Sequence, residues 1–323
     1  MSRVTFRQAV KRGLEEALDN DPNVLVLGED VGRYGGAYAI TSGLLERYGP
    51  ERVLDTPISE ATFVGCGVGA AVGGLRPIVE LMSINFALVA FDQIVNMAAK
   101  IRYMSGGQVD VPLVIRAPTG GGMKLGATHS QSLEGFFAAV PGLKVVIPAT
   151  PSDALGLFRS ALADLNPVIF AEPARLYGQT GDVPDNYYTV PIGKANVVRQ
   201  GSDLTLVTYG HGLVHSLLAA ESLVKRGVDV EVIDLRTLRP LDMLTVESSA
   251  RKTGRVVLFE EPWRTGGIMA EIAAELQEKC IDHLDGPIIR VAGADAPAPY
   301  SRELERSGIP DHIDILNAVE ATH

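Results

Sequence analysis

Cysteine is scarce in this chain, which has only Cys66 and Cys280 among 323 residues. Two thiols are too few for a disulfide framework, so the composition predicts a reducing compartment, and we expect the cytoplasm. Long apolar runs are also missing, since none reaches the roughly 20 residues that a membrane-spanning helix needs. The N-terminal residues lead straight into a helical pattern, so we expect neither a cleaved signal segment nor a membrane partner.

Positive charge is in the minority. The 29 Lys and Arg residues are outnumbered by 39 Asp and Glu residues, which gives a formal net charge of −10. This balance argues against non-specific binding of nucleic acid and favours a neutral or basic partner. Hydrophobic residues make up 46% and charged residues 21%, as in an ordinary globular protein, and the length predicts about two domains.

Short apolar strands alternate with helical patterns over the first 180 residues. Thr5 and Gln8 form a predicted capping box that opens a helix, and further helices are predicted over about 86–103 and 150–163. The predicted strands are 24–27, 77–82, 111–116, 143–147 and 167–171. This alternation predicts an α/β fold with a parallel sheet covered on both faces.

A second α/β unit is predicted beyond a linker. The segment 181–188, GDVPDNYY, breaks the alternation, which then restarts. We expect strands at 203–208, 228–235, 255–259 and 288–291, with helices at 211–226 and 268–280. The predicted bounds are therefore a first domain over 1–180, a linker over 181–196 and a smaller domain over 197–323.

One carboxylate, Glu60, stands at the start of a helix made of small residues. It ends the segment DTPISE at 55–60 and leads into ATFVGCGVG at 61–69. Pro57 favours an extended entry and Ser59 is a good N-cap residue, while the glycines allow another backbone to approach closely. The pattern is typical of a cofactor-binding edge, but a carboxylate in a first turn also complements the helix dipole.

The same helix carries a pattern that imitates a dinucleotide-binding motif. Gly65, Gly67 and Ala70 satisfy its relaxed spacing. The true motif needs a strand directly before the glycines, whereas here the four residues Pro57–Glu60 intervene and the glycines lie inside the predicted helix. Close helix packing is the better explanation, and NAD binding is not favoured.

A histidine, His129, follows the glycine-rich segment TGGG at 119–122 at a predicted helix start. Loops after the carboxyl ends of parallel strands bind ligands, and a histidine there can donate to a developing oxyanion or move protons. A structural histidine bonded to backbone is the alternative. The remaining histidines show no spacing typical of a zinc site; they are His211, His215, His283, His312 and His323.

Two further side chains allow two interpretations each. Phe86 could stack on a flat ring or belong to the core. Glu29, with Asp30, ends the first predicted strand on the same sheet edge as Glu60. These carboxylates predict either a solvated edge or a proton path.

Several segments together resemble the beta subunit of thiamine-dependent 2-oxoacid dehydrogenase complexes, of the pyruvate dehydrogenase type within the transketolase-like superfamily. The resemblance runs from end to end in order. Besides DTPISE at 55–60 and GED at 28–30, it rests on GLRPI at 74–78, FDQI at 91–94, YMSGG at 103–107, HSQ at 129–131, PGLKV at 141–145, LRTLRPLD at 235–242 and EEP at 260–262. It implies a pyrimidine-binding domain followed by a smaller transketolase C-terminal-like domain.

The resemblance implies roles for individual residues. Glu60 matches the glutamate that bonds a ring nitrogen of the aminopyrimidine of thiamine diphosphate and favours the tautomer that acts as the base. His129 matches a histidine near the reacting carbon. Ile58, Met82 and Phe86 match the apolar shell around the pyrimidine, and Glu29 resembles part of an acidic tunnel between two active sites.

The resemblance also implies ions and partners. Backbone carbonyls would hold a structural K⁺ at the matching positions Leu113, Ala161, Leu162, Asp164 and Asn166. The Gly-Asp-Gly motif that holds the diphosphate and Mg²⁺ in thiamine enzymes is absent from the chain. We therefore expect an alpha subunit to hold them in an α2β2 heterotetramer, which would pass the acyl group of a small 2-oxoacid to the lipoyl domain of a dihydrolipoyl acyltransferase core.

Alternatives remain at this point. Pyruvate is the expected substrate, with branched-chain 2-oxoacids and acetoin next, and Val89 stands where some members have a glutamine near the cofactor. A transketolase-like enzyme split into two chains would have a sugar acceptor. A non-catalytic scaffold subunit would not need Glu60, and a nicotinamide dehydrogenase would bind NAD.

Overall fold

The computed structural model describes residues 1–320, so His323 lies outside the described part. The chain forms two compact units. The first contains Met1–Thr119 and Phe136–Ile192, and the second contains Gly120–Gly135 and the chain from Gly193 onward. The predicted domain bounds stay a prediction, but the structure adds that Gly120–Gly135 belongs to the second unit although it lies within the first 180 residues.

The first unit is built on parallel strands. Its strands are β1 (Ser2–Thr5), β2 (Val24–Gly28), β3 (Val53–Asp55), β4 (Arg76–Glu80), β5 (Val114–Thr119), β6 (Lys144–Val146), β7 (Val168–Pro173) and β8 (Thr180–Val183). Six of them lie in the order β6-β7-β5-β4-β2-β3 with every pair parallel. The other two, β1 and β8, pair antiparallel, so the first residues of the predicted linker lie in a strand.

Helices flank this sheet as the alternation predicts. They are α1 (Phe6–Asn20), α2 (Leu44–Tyr48), α3 (Glu60–Val72), α4 (Ile101–Met104) and α6 (Pro151–Ala163), with the short α5 (Glu134–Ala138) between α4 and α6 in the chain. The predicted capping box is confirmed, since the Gln8 backbone N–H donates to Thr5 Oγ1 at 3.2 Å and the Thr5 N–H donates to Gln8 Oε1 at 2.8 Å. Gly13 lets α1 pack closely on α6, because a Cβ there would stand 2.6 Å from Phe158 Cδ1.

The long helix predicted over 86–103 is wrong. The segment instead contains a 3₁₀ turn at Ile84–Leu88, a π-helical stretch at Gln93–Ala98 and α4. In the π stretch the Ala99 N–H donates to the Ile94 carbonyl at 3.1 Å, five residues back. Apolar periodicity does not separate these helix types, because all of them return side chains to one face every three to five residues.

The second unit is a smaller α/β sandwich of the predicted kind. Its strands are β9 (Asn196–Arg199), β10 (Leu204–Thr208), β11 (Val230–Asp234), β12 (Thr237–Arg239), β13 (Val256–Trp263) and β14 (Ile289–Gly293), and its helices are α7 (Gly212–Val224), α8 (Met243–Thr253), α9 (Ile268–Cys280), α10 (Arg302–Gly308) and α11 (His312–Glu320). Five strands lie in the order β14-β13-β10-β11-β9, and only β9 is antiparallel.

The predicted α/β class with parallel sheets is confirmed by this topology. Within residues 1–320, every helix is either too short or too polar to cross a membrane. Buried apolar side chains of both sheets form the two cores.

Candidate active site

Two carboxylates meet at the carboxyl end of the first sheet. Glu29 directly follows β2, and Glu60 is the first residue of α3. β2 ends at a glycine because a Cβ at Gly28 would stand 2.4 Å from the Glu80 carbonyl oxygen of the neighbouring strand β4. The strand ends therefore bring a carboxylate from a loop and one from a helix start to the same edge, as the sequence predicted.

The pair of Glu29 and Glu60 is buried. Each residue is only 6% exposed. Burial, and then the charge of Glu60 and a hydrogen bond with it, raise the pKa of Glu29 to about 7. Glu29 Oε1 has no hydrogen-bond partner among the described residues. The site therefore offers a carboxyl group that exchanges a proton near neutral pH beside a second carboxyl group at a helix start.

The start of α3 differs in detail from the prediction. Ser59 occupies the N-cap but makes no side-chain capping bond, because its hydroxyl lies 2.7 Å from the Thr62 hydroxyl instead. The glycines were predicted to admit another backbone, but Gly67 instead packs closely against a side chain: a Cβ there would stand 2.6 Å from Val79 Cγ2 on β4. At Gly69 nothing lies within 4 Å of that position. The glycine at position 67 thus sets the helix, and Glu60 with it, tightly against the sheet.

Replacing Glu29 with glutamine is expected to stabilise the first unit at alkaline pH. A carboxyl group whose pKa rises from 4.5 to about 7 on folding loses stabilisation as the pH rises through that window. Glutamine does not ionise, so the free energy of unfolding of the variant should exceed that of the wild type by about 2 kcal/mol at pH 8 and by much less at pH 5. Urea unfolding at both pH values measures the difference.

The exposed neighbour Asp30 supplies the control for this experiment. Its φ is 56°, a left-handed conformation that asparagine tolerates, and its charge makes the smallest contribution to the raised pKa of Glu29, so Asp30→Asn should change the free energy of unfolding at pH 8 much less than Glu29→Gln does. If the free energy of unfolding of Glu29→Gln exceeded that of the wild type by the same amount at both pH values, the assignment of the raised pKa to Glu29 would be contradicted.

The apolar residues predicted around the pyrimidine take different environments. Ile58 is 83% exposed, directly before the carboxylate helix. Met82 and Phe86 are half-buried, Met82 just after β4 and Phe86 in the 3₁₀ turn that Ser83 caps. These three side chains have surface left to contact a flat ligand, so none is committed to the core.

Sequence reasoning missed a buried ion network in the first unit. Arg116 on β5 donates from Nε and Nη2 to the two carboxylate oxygens of Glu172 on β7, both at 2.8 Å, and also forms an ion pair with Glu80 on β4. The Tyr177 hydroxyl donates to Glu172 at 2.7 Å. The sequence does show one charged residue in each of three apolar strands. The network could be recognised only from the strand order, which brings these residues together.

His129 lies on an exposed loop of the second unit. Its Nδ1 is 2.8 Å from the Thr128 hydroxyl oxygen, and its backbone N–H donates to the Gly126 carbonyl at 3.2 Å. The predicted helix start at this histidine is wrong, because the following helix, α5, begins only at Glu134. An accessible imidazole on a turn remains suited to proton transfer.

Four of the five carbonyls predicted to hold K⁺ belong to residues 161–166, whereas Leu113 lies far from them in sequence, and three of the five accept hydrogen bonds. Val168 N–H donates to Leu113 O at 2.9 Å, Asp164 N–H to Ala161 O at 3.3 Å, and Arg76 Nη1 to Leu162 O at 2.6 Å. A carbonyl oxygen has a second lone pair, so the backbone bonds leave the Leu113 and Ala161 oxygens able to bind a cation, whereas the Arg76 guanidinium already supplies a positive charge at the Leu162 oxygen. The side chain of Asp164 accepts from Asn166 N at 2.9 Å and from Nδ2 at 2.8 Å.

Among residues 1–320, no group of three or more His, Cys, Asp or Glu side chains has the arrangement of a metal site.

Two family models match the chain. Residues 2–180 match the transketolase pyrimidine binding domain, and residues 193–315 match the transketolase C-terminal domain. A solved structure titled as a split gene transketolase, inactive beta4 tetramer, superimposes with a TM-score of 0.81 over 98% of this chain and 97% of the other, at 24% identity. At that identity the likeness shows a shared fold.

Curated relatives are closer in sequence. The pyruvate dehydrogenase E1 component subunit beta-1 of Arabidopsis thaliana, a mitochondrial protein, is 48% identical over 98% of this chain and 88% of its own length. The E1 beta subunit of Rhizobium meliloti is 47% identical over 99% of this chain and 70% of its own, and that of Rickettsia bellii is 46% identical over 98% of both. The resemblance found in the sequence is confirmed, and the chain belongs to the family of pyruvate dehydrogenase E1 component beta subunits.

Proposed function

We propose that this chain provides half of the active site of a pyruvate dehydrogenase E1 component. With an alpha subunit it would decarboxylate pyruvate oxidatively and transfer the acetyl group to the lipoyl domain of a dihydrolipoyl acyltransferase. The observation that carries the proposal is the buried pair formed by Glu29, directly after β2, and Glu60, at the start of α3. A hydrogen-bonded carboxyl pair on a ligand-binding sheet edge is suited to hold a proton against a nitrogen heterocycle.

The residues of the first unit fit the aminopyrimidine of thiamine diphosphate. When bound, that cofactor supplies a carbon nucleophile for attack on the 2-oxoacid. Glu60 would share a proton with a ring nitrogen, and burial of its carboxyl group would keep water from competing for that proton. Glu29, whose pKa is raised to about 7, would return protons to Glu60 at neutral pH. Ile58, Met82 and Phe86 would contact the flat ring.

His129 is proposed to act on the substrate side. An exposed imidazole can donate a hydrogen bond to a developing oxyanion and can shuttle protons near pH 7. Its neighbour Thr128, whose hydroxyl oxygen lies 2.8 Å from Nδ1, would help to fix the orientation of the ring.

The alpha subunit is proposed to hold the diphosphate and Mg²⁺, because this chain lacks the Gly-Asp-Gly motif. An α2β2 heterotetramer would then contain two complete sites. A cytoplasmic location is also part of the proposal, and it is supported by Cys66 and Cys280, which are both free thiols.

The proposal also includes a structural K⁺ bound by the backbone carbonyls near Asp164. If the ion binds only the folded chain, adding KCl is expected to raise the free energy of unfolding by about 1 kcal/mol over NaCl at equal ionic strength. Urea unfolding in the two salts measures this difference. Choline chloride serves as the control, because the choline cation is too large for the site. Equal urea midpoints in KCl, NaCl and choline chloride would contradict the proposed K⁺ site.

The proposed function is tested by reconstitution. The chain, its alpha subunit and the two together would be assayed for dye reduction driven by pyruvate, branched-chain 2-oxoacids or acetoin, with and without thiamine diphosphate and Mg²⁺. We expect activity only for the two chains together, dependent on the cofactor and highest with pyruvate. Highest activity with another substrate would reassign the 2-oxoacid, and activity with a sugar acceptor in place of lipoamide would indicate a split transketolase. No activity in any combination would overturn the proposal.

A further inference from the structure

The loop that carries His129 is held by a carboxylate from far along the chain. Glu305 on α10 is only 3% exposed and accepts from the Gly122 backbone N–H at 3.0 Å and from the Lys124 N–H at 2.9 Å. A third contact joins the Lys124 N–H to the other carboxylate oxygen at 3.3 Å. Both partners belong to the second unit, as does the loop.

The loop backbone is shaped to present these N–H groups. Four residues have left-handed φ values, namely Gly120 at 97°, Gly122 at 88°, Lys124 at 59° and Gly126 at 80°. Alternation of left-handed with ordinary residues turns backbone N–H groups toward one point, which is how such turns bind anions. Here the anion is the Glu305 carboxylate.

A second contact comes from the same C-terminal segment. The Tyr300 ring lies over Gly126, where a Cβ would stand only 2.4 Å from Tyr300 Cζ. Gly126 in turn accepts the hydrogen bond of the His129 backbone N–H. Glu305 therefore contacts the loop at Gly122 and Lys124, and Tyr300 contacts it at Gly126, three residues before the histidine.

Much of the loop is exposed, although Gly121, Gly126 and Ser130 are buried. Residues 122–125 and 127–129 are exposed. Gly121, Ala127 and Ser130 line a cavity of about 560 Å³, which the segment 293–309 borders on its other side. The two bonded N–H groups, those of Gly122 and Lys124, lie in this exposed part of the loop, so the bonds to Glu305 are specific restraints on it.

We infer that Glu305 is a positioning residue that holds the His129 loop in its working conformation. This inference rests on the proposed role of His129. Glu305 itself would touch no substrate; it would act through the backbone of Gly122 and Lys124. The C-terminal segment of the chain would thereby influence catalysis.

Trypsin provides a direct readout of the loop, because Lys124 is exposed and its backbone is bonded to Glu305. In full-length chain, Glu305→Ala is expected to raise the rate of cleavage after Lys124 by at least about tenfold, since charge-assisted hydrogen bonds are lost. Glu305→Gln retains an amide oxygen as an acceptor and should give an intermediate rate. Glu303→Ala, on the exposed side of the same helix, is the matched control and should cleave like the wild type.

The assembled complex provides the functional readout. There Glu305→Ala is expected to lower kcat by about tenfold or more with little change in KM for thiamine diphosphate, because only the histidine is misplaced. Glu305→Gln should recover part of kcat, which a general loss of folding would not explain. Unchanged cleavage after Lys124 in Glu305→Ala would overturn the inference, as would faster cleavage with full kcat in a complex that His129→Ala inactivates.

Different results would refute the role of Glu305 and the proposed role of His129. If His129→Ala keeps full activity, the proposed role of the histidine falls, and the link from Glu305 to catalysis falls with it. The cleavage rate would still report whether Glu305 holds the loop.

Discussion

Replacing Glu60 with glutamine is expected to lower kcat of the assembled complex by about 10²- to 10⁴-fold. Glutamine has nearly the same shape but cannot hold an exchangeable proton as a carboxyl group does. The pair with Glu29 would lose its acidic partner at the start of α3, while the close packing at Gly67 would keep the helix in place. Dye reduction with saturating pyruvate and thiamine diphosphate measures the effect, after gel filtration has shown that the variant still assembles.

The control for Glu60 is Glu46, an exposed acidic residue in the first turn of α2. If Glu60 only complements a helix dipole, both glutamine variants should lose at most about 1 kcal/mol of stability and keep their activity. The account requires instead that Glu46→Gln leave kcat unchanged while Glu60→Gln nearly abolishes it. Full activity in Glu60→Gln would also restore the interpretation as a non-catalytic scaffold.

Replacing Arg116 with methionine is expected to lower the free energy of unfolding by about 3–5 kcal/mol. The arginine is fully buried and is shared by Glu80 and Glu172, so its loss leaves two buried carboxylates without their cation. Burial already raises the pKa of Glu80, with Arg116 opposing that rise. Urea unfolding at pH 7 measures the loss.

The matched control is Arg102→Met. Arg102 forms an ion pair with Asp110 at 2.7 Å, but both side chains are about 40% exposed, so the expected change is below about 1 kcal/mol. Joint replacement of Glu80, Arg116 and Glu172 by apolar residues should recover much of the loss, because no buried charge then remains. Equal losses in Arg116→Met and Arg102→Met would contradict the proposed role of burial.

Features encoded by neighbouring residues could be predicted from the sequence. The capping box of Thr5 and Gln8 and the alternation of strands and helices depend on local patterns, and the structure bears them out. The long helix predicted over 86–103 is wrong because that prediction also used only local pattern: a single apolar face is compatible with 3₁₀, α and π winding, and tertiary contacts decide among them.

Contacts between distant residues could not be predicted. That Glu29 and Glu60 share one sheet edge followed from the rule for parallel strands, but their direct interaction and the raised pKa of Glu29 depend on how tightly α3 packs. The bond from Lys124 to Glu305 spans 181 residues, and no local pattern marks either partner. Likewise, the ion network around Arg116 could not be predicted without knowing the order of the strands in the sheet.

The roles of Glu60, His129 and the predicted ion ligands come from the family resemblance, and each of them stays a prediction. The geometry supports them unevenly. Glu60 lies in a buried, hydrogen-bonded pair, whereas Ile58 is exposed in this chain and would be covered only by a ligand or a partner.

The most direct test of the central claim, that this chain holds only half of a thiamine diphosphate site, is calorimetric titration of the cofactor with Mg²⁺. It would be titrated into the chain alone, into the alpha subunit alone and into the two together. The account predicts stoichiometric tight binding for the pair and at least about 100-fold weaker binding for this chain alone, because the diphosphate and its metal supply much of the binding energy. Equally tight binding to the isolated chain would contradict the claim, since the diphosphate would then have its ligands within this chain.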